Sequence, residues 1–229
     1  TDSPASKAGL QIGDLIIDID GVKTRGRTLG EIASQIHGPV NKKITIKIQR
    51  ISLDAPIMAT MQRVRVIANT VHYAARDAVA YIRVTSFNQD TAKQLKGSVQ
   101  KARRELGDKL IGLVLDLRDN PGGLLDQAVD TADLFIVRGR ISTTKGRHRD
   151  SLQRFNASNG DISHGLPIAV LMNGASASAA EILAAALQDN GRAILIGSSS
   201  FGKGTVQTVL RLPNDGELVL TWARLLAPL

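Results

Sequence analysis

The sequence contains no cysteine, which excludes a thiol nucleophile, a structural disulfide and thiolate metal sites. Aromatic residues make up only 3% of it, too few for the stacked rings that bind single-stranded nucleic acid. Because the Lys and Arg residues are scattered, the net charge of +8 indicates a basic surface and no nucleic-acid partner. No apolar run reaches roughly 18 residues, so no membrane-spanning helix is predicted within these 229 residues.

The longest basic cluster is Lys145-Gly146-Arg147-His148-Arg149. It lies in a turn-rich stretch, which favours a solvated loop. Binding of anionic lipid is the alternative interpretation.

The first fifty residues predict a small α+β unit. Apolar and polar residues alternate over 15–20, which indicates a strand, and Asp20-Gly21 is a hairpin turn signal. Thr28 and Glu31 are spaced as the capping box of a helix. Residues 44–48 alternate again and predict another strand.

This order of elements, with the string from Ser3 to Gly21, resembles a PDZ domain. Domains of this kind have, before this point, a strand and a glycine-containing loop whose amides hold a peptide's terminal carboxylate. The sequence begins after that position, so we expect a truncated PDZ domain over residues 1–52 and assign no carboxylate-binding residues.

The remainder, residues 53–229, predicts α/β architecture with functional loops at the strand ends. Alternation at Val64 and Val66 suggests a strand that leaves the first unit. A loop-rich stretch is predicted between Phe135 and Ile168, and a last pair of strands ends the chain. The other predicted elements are strands at 78–84, 111–117, 168–172 and 193–197, and helices at 90–106, 125–135 and from Ser178 to about 188.

A serine hydrolase needs an accessible hydroxyl, a base within hydrogen-bond reach, and amides directed at the developing oxyanion. The small residues around Ser178 lie between a buried strand and a helix, where a peptide can approach closely. Serine before an apolar helical run is commonly only a helix cap, and that interpretation applies equally to Ser176. Lys203 follows between two glycines, within Phe201-Gly202-Lys203-Gly204-Thr205-Val206-Gln207. By itself, a lysine in such a turn is commonly a surface residue.

Taken together, three motifs resemble the active region of the carboxyl-terminal processing (tail-specific) serine proteases, over essentially the whole chain. They are the string Gly174 to Glu181, the stretch Gln188-Asp189-Asn190-Gly191-Arg192-Ala193, and the stretch Phe201 to Gln207. Leu115-Asp116-Leu117-Arg118-Asp119-Asn120-Pro121-Gly122-Gly123 is similar to another segment of the same family. The family's third serine is Ala180 here. The resemblance implies a crotonase/ClpP-like protease core whose C-terminal part is truncated.

The resemblance also implies the catalytic roles. Ser178 is the nucleophile, Lys203 the general base, and Gln207 orients the lysine amine. The amides of Gly123 and Ala179 form the oxyanion hole. A lysine base must be neutral, so we expect Phe201 and the flanking apolar strand to exclude water from Lys203. Arg118 and Asp119 either steer substrate or pair locally.

Several alternatives remain at this point. A histidine base would be His72, His148 or His164, but none lies in a motif that positions it. The histidines show no metal-ligand spacing, and no cofactor is implied. A latent protease, a non-catalytic peptide-binding protein on the same fold, and a PDZ scaffold are the rival functions.

The family resemblance implies protein or peptide substrates with unstructured C-termini. It also implies a bacterial cell-envelope location, periplasmic or extracytoplasmic. An adaptor or a homo-oligomer, and membrane association through a segment absent from this sequence, are further expectations.

Overall fold

The chain divides between Val66 and Ile67 into two units. The computed structural model describes residues 3–158, 160–213 and 216–229. Within this part of the chain, no helix is long and apolar enough to cross a membrane.

The first unit consists of a four-stranded antiparallel sheet and two helices. The elements are α1 (Pro4–Lys7), β1 (Leu15–Ile19), β2 (Val22–Lys23), α2 (Leu29–Ile36), β3 (Lys43–Gln49) and β4 (Ile57–Gln62). The strand order in the sheet is β2-β1-β3-β4. The core of the unit consists of Ile19, Ile44, Ile46 and Ile48, the inward residues of the alternating strands.

Local signals in this unit are confirmed. Asp20 and Gly21 have φ values of 50° and 85° and connect β1 to β2, as expected for a hairpin turn. The Thr28 N–H donates to Glu31 Oε2 at 2.7 Å, and the Glu31 N–H donates to Thr28 Oγ1 at 3.3 Å. The predicted capping box therefore starts α2.

The structural boundary differs from the one predicted near Ser52. Strand β4, which the sequence analysis did not identify, pairs with β3 from Lys43↔Gln62 to Ile48↔Ile57 and so belongs to the first unit. The strand predicted at Val64 and Val66 is wrong, because residues 63–70 adopt no regular structure. The alternation of apolar and polar residues does not reflect burial here, because the side chains of Val64 and Val66 are 47% and 63% exposed.

The second unit contains a five-stranded sheet and three long helices. The elements are β5 (Val71–Arg76), β6 (Val79–Val84), α3 (Thr91–Leu106), β7 (Gly112–Asp116), α4 (Leu125–Asp133), β10 (Ile168–Met172), α5 (Ala179–Asp189) and β11 (Ile194–Gly197). The strand order is β11-β10-β7-β6-β5. Strands β6, β7, β10 and β11 run parallel, and β5 pairs antiparallel with β6.

A second, antiparallel sheet belongs to the same unit. Its strands are β8 (Arg140–Lys145), β9 (Gln153–Asn156), β12 (Thr205–Arg211) and β13 (Glu217–Leu226), in the order β12-β13-β8-β9. The predicted last pair of strands is confirmed as β12 and β13. The stretch from Phe135 to Ile168, predicted as loop-rich, also contributes β8 and β9 to this sheet, two strands that the sequence analysis did not identify.

The parallel sheet confirms the α/β class and determines where the site lies. Strand β7 is almost wholly buried, as a strand covered on both faces must be. Since β7 and β10 are parallel neighbours, the loops after their carboxyl ends, residues 117–124 and 173–178, meet at one edge. Such an edge is where α/β proteins place their functional groups.

Candidate active site

The two loops at this edge are tied together by direct hydrogen bonds. The Ala177 N–H donates to the carbonyl of Asn120 at 2.9 Å, and Ser176 Oγ donates to the carbonyl of Leu117 at 2.8 Å. Asn173 exchanges two hydrogen bonds with Asp119, at 3.0 and 2.9 Å. The residue before Ser178 is therefore held against the glycine-containing loop.

Ser178 has a strained backbone, with φ 56° and ψ −114°, immediately before α5. Such a conformation costs a non-glycine residue of order 1–3 kcal/mol and is found most often at functional sites. A sharp strand-to-helix turn of this kind presents a serine hydroxyl at the end of a sheet. Ser178 is partly exposed and lines a cleft.

Gly122 lies in direct contact with this turn. It has φ +102°, and a Cβ added to it would lie 2.8 Å from Ser178 Cβ and 3.0 Å from the Ala179 nitrogen. Gly123, at φ +146°, packs against Phe87 so closely that an added Cβ would lie 2.1 Å from the Phe87 carbonyl oxygen. Glycine is therefore required at both positions by backbone conformation and by space.

Two backbone amides beside the serine have no partner in the described part of the chain. Ala179 is the first residue of α5, so its N–H has no acceptor within the helix. The N–H of Gly123 is also unused, because the Phe87 bridge engages only the Gly122 carbonyl and the Leu124 N–H. These are the two donors predicted for an oxyanion hole.

Asn120 is fully buried and links the segments that surround Ser178. Its Nδ2 donates to the Val84 carbonyl and its Oδ1 accepts from the Gly122 N–H, both at 2.8 Å. Its own carbonyl accepts from Ala177. Through its side chain and its backbone carbonyl, Asn120 thus connects β6, the glycine loop and the serine turn, a role that the sequence analysis missed.

Glu181 connects the serine to the lysine loop and was also missed, although a glutamate at the third helical position after a serine is a capping-box signal. Oε2 accepts from the N–H groups of Ser178, at 2.7 Å, and Lys203, at 2.9 Å. Oε1 accepts from the Gly202 N–H at 2.7 Å and from Ser200 Oγ at 2.6 Å. Burial acts to raise the pKa of Glu181, but these four hydrogen bonds outweigh it and hold the pKa below its usual value.

Ser178 and Lys203 line the same cleft, which has a volume of about 220 Å³. Lys203 is exposed and forms no ion pair with any described residue. Phe201 is 68% exposed, so the expectation that it shields the amine from water is wrong. The other walls are mostly apolar and include Ile141, Ile182, Ala185, Leu225, Leu226 and Ala227.

Gln207 is placed differently from the other predicted residues. Lys203 precedes β12, and a register shift between Val206 and Gln207 interrupts the alternation from which a shared face was expected. The Gln207 amide donates to Thr221 Oγ1 at 3.1 Å, and Gln207 is not among the residues that line the cleft.

The neighbouring charges pair locally. Arg118 makes a bidentate hydrogen-bonded ion pair with the buried Asp116, at 2.9 and 2.7 Å. The Tyr81 hydroxyl also donates to Asp116. Burial acts to raise the pKa of Asp116, but the bonds from Arg118 and Tyr81 outweigh it and lower the pKa to about 2. Asp119 pairs with Asn173 and with Arg83.

The Asp116 ion pair makes stability depend on pH. Because its pKa is lower in the folded protein, the contribution is present above about pH 4 and is lost as the pH falls to about 2. We expect the free energy of unfolding to fall by on the order of 2 kcal/mol more in the wild type than in Asp116→Asn across this window. Unfolding titrations with guanidinium chloride at several pH values test this expectation. An equal loss of stability in the wild type and in Asp116→Asn would exclude Asp116 as the source of the pH dependence.

The three histidines considered as alternative bases lie elsewhere. His72 is on β5, His164 is in the loop before β10, and His148 accepts from the Asp150 N–H at 3.3 Å. None of them lines the cleft that contains Ser178.

Comparisons with known proteins agree with this geometry. The model of peptidase family S41 matches residues 78–229, and a PDZ domain model matches residues 1–50. A carboxy-terminal-processing protease of Bartonella bacilliformis is 43% identical over 99% of this chain and 52% of its own length. A carboxyl-terminal-processing protease of Synechocystis is 36% identical over 99% and 53%. The chain therefore spans about half the length of these curated relatives.

Among solved structures, the photosystem II D1 C-terminal processing protease matches with a TM-score of 0.60 and 27% identity, covering 99% of this chain and 62% of that one. An S41 protease of Bacteroides fragilis matches with a TM-score of 0.59 at 20% identity, covering 99% and 64%. This second likeness concerns the fold alone.

Proposed function

Because this chain belongs to peptidase family S41, we propose that it is a serine endoprotease that uses Ser178 as nucleophile and Lys203 as general base. The observation that carries the proposal is the single cleft lined by both residues, beside a strained serine turn. The unused amides of Ala179 and Gly123 support the same reaction. Glu181, which binds the backbone of both Ser178 and Lys203, supports it further.

The reaction proceeds by acyl transfer. Ser178 Oγ attacks the peptide carbonyl carbon as Lys203 Nζ takes its proton, and the Ala179 and Gly123 amides stabilise the oxyanion of the tetrahedral intermediate. Lys203 then protonates the leaving amine, and the peptide bond breaks. Water then attacks the acyl carbonyl carbon as Lys203 takes its proton, the ester bond to Ser178 Oγ breaks, and Lys203 returns the proton to Ser178 Oγ.

A lysine acts as a base only when neutral, and Lys203 is exposed without a bound peptide. We expect the substrate backbone to cover the cleft and remove water from the amine, which disfavours its charged form. The absence of an ion pair to Lys203 among the described residues favours this, because no carboxylate would hold the ammonium ion. Gln207 as the residue that orients the amine stays a prediction.

The PDZ unit suggests the substrate class. We propose that the enzyme cleaves unstructured C-terminal regions of proteins that this unit recognises. The curated relatives reported above are bacterial, and a periplasmic or extracytoplasmic location in the cell envelope belongs to the same proposal. An adaptor, a homo-oligomer and membrane association belong to the same proposal. The alternative is a latent protease or a peptide-binding protein on this fold, which the exposed Lys203 favours.

Cleavage of casein between about pH 6 and 9 tests the mechanism. We expect Ser178→Ala to abolish measurable cleavage and Lys203→Ala to lower kcat by about 10²- to 10⁴-fold, the usual contribution of a general base. Lys96→Ala, an exposed lysine on α3, serves as the matched control and should retain wild-type activity.

The outcomes separate the alternatives. Full activity in Lys203→Ala would overturn the role of Lys203 as general base. If activity is lost only in Ser178→Ala, the role of Ser178 as nucleophile still stands. An inactive wild type that still binds casein would favour the latent or peptide-binding alternative.

A further inference from the structure

A second crevice in the same unit, with a volume of about 610 Å³, is lined by Lys145, Arg147, Arg224 and Trp222. None of the described residues that line it is acidic. The basic cluster noted in the sequence is therefore more than a solvated loop. Lys145 and Arg147 of this cluster line the crevice together with Arg224 and the indole ring of Trp222, both from β13.

The arrangement of these cations is unfavourable without an anion. Arg224 and Lys145 are direct cross-strand partners in the β13–β8 pairing, and like charges directly opposite each other destabilise a sheet. Neither residue, nor Arg147, forms an ion pair with any described residue. The nearby Asp150 pairs with His148 and Arg149 instead.

The loop that carries Arg147 is fixed in place. Ser151 is only 4% exposed; its Oγ accepts from the Gly146 N–H at 2.7 Å, and its carbonyl accepts from Thr144 Oγ1 at 2.7 Å. Gly146 crosses β13 so closely that a Cβ there would lie 2.0 Å from the Trp222 carbonyl oxygen. Arg147 is therefore held beside Trp222 by backbone packing.

The crevice adjoins the cleft that contains Ser178. Leu226 lines both cavities. Arg224 lies two residues from Leu226 on β13, about 7 Å along the strand at about 3.3 Å per residue. A peptide that leaves the cleft past Leu226 therefore comes within reach of Arg224.

We propose that this crevice binds a carboxylate of the peptide substrate, either an acidic side chain near the scissile bond or a free C-terminus. The inference rests on the proposed protease function. Three cations without partners select a carboxylate, and Trp222 provides an apolar surface for the chain that carries it. A peptide docked in both cavities relieves the repulsion between Lys145 and Arg224 and gains affinity.

The test uses peptides built on one casein segment that the wild-type protein cleaves. Each position flanking the scissile bond carries Ala, Glu or Lys in turn, and the C-terminus is either free or amidated, which separates the two sources of carboxylate. We expect Glu at one position, or the free C-terminus, to raise kcat/KM at least about fivefold through KM. The preference should weaken as NaCl rises.

Arg224→Glu should abolish this preference and favour the Lys peptide. The variant should fold, because the introduced carboxylate would form an opposite-charge pair with Lys145 across the strands. Arg149→Glu is the matched control, since Arg149 belongs to the same basic cluster but does not line the crevice. We expect it to retain the wild-type preference.

Three results would overturn the proposal while the neutral peptide is still cleaved. The first is equal cleavage of the Ala, Glu and Lys peptides by the wild type, and the second is an equal loss of preference in Arg149→Glu and Arg224→Glu. The third is that the wild type binds phosphatidylserine vesicles and that Arg224→Glu removes this binding without any change in peptide preference. Failure to cleave any peptide, by contrast, would count against the protease function itself.

Discussion

Replacing Gly122 with alanine is expected to lower kcat by at least about 100-fold, the effect of losing an oxyanion-hole donor. The added Cβ would lie 2.8 Å from both Ser178 Cβ and the Ala177 carbonyl oxygen, and the residue would keep φ +102°. Since neither backbone atoms nor a fixed Cβ yields easily, the glycine loop must move away from Ser178. The Gly123 amide then moves with it, out of reach of the oxyanion.

Gly97→Ala is the matched control for Gly122→Ala. Gly97 lies within α3, and an added Cβ there meets no atom within 4 Å. We expect unchanged kcat and a gain in stability of about 0.5–1 kcal/mol, the usual benefit of alanine over glycine in a helix. Steady-state kinetics and thermal unfolding of both variants give the comparison. Near-wild-type kcat in folded Gly122→Ala would show that the glycine loop does not form the oxyanion hole.

Glu181→Gln is expected to lower kcat by about 100-fold with a smaller change in KM. The carboxylate accepts four hydrogen bonds, from the Ser178, Gly202 and Lys203 N–H groups and from Ser200 Oγ. A glutamine amide has the same shape, but its NH₂ group faces donors and accepts nothing. The hydrogen bonds to one of the two oxygens are therefore lost, and the connection between the serine turn and the lysine loop is weakened.

Asp161→Asn is the control for Glu181→Gln. Asp161 is a similarly satisfied carboxylate of the same unit, accepting from Ser163, Gly165 and Arg192 outside the cleft. Both substitutions should lower the temperature of unfolding, whereas kcat should fall only in Glu181→Gln. If the two variants lose stability alike and keep wild-type kcat, Glu181 acts on folding alone.

The predicted strands and helices of the parallel sheet are confirmed because their burial follows the chain regularly. Strand β7 is continuously apolar, and the inward face of α3 repeats at helical spacing, with Leu95, Val99 and Ala102 buried. Strand β8 has no such pattern, since its buried residues include Ser142 and Thr144. The Ser142 hydroxyl donates to the carbonyl of Leu226, which is distant along the chain, and the Thr144 hydroxyl donates to the carbonyl of Ser151 in the following turn. These hydrogen bonds allow polar side chains to be buried, so the burial of β8 does not show as an apolar pattern in the sequence.

The sequence by itself determined the family, the α/β class and the candidacy of Ser178 and Lys203, because these depend on residue identity and local spacing. Only the tertiary structure decided that Gly122 contacts the serine turn, that Glu181 joins it to the lysine loop, that Phe201 is exposed, and that Lys145 lies opposite Arg224. Each depends on where segments distant along the chain lie in the folded protein. Close packing and hydrogen-bond geometry across the fold determine such contacts, and spacing along the chain does not encode them.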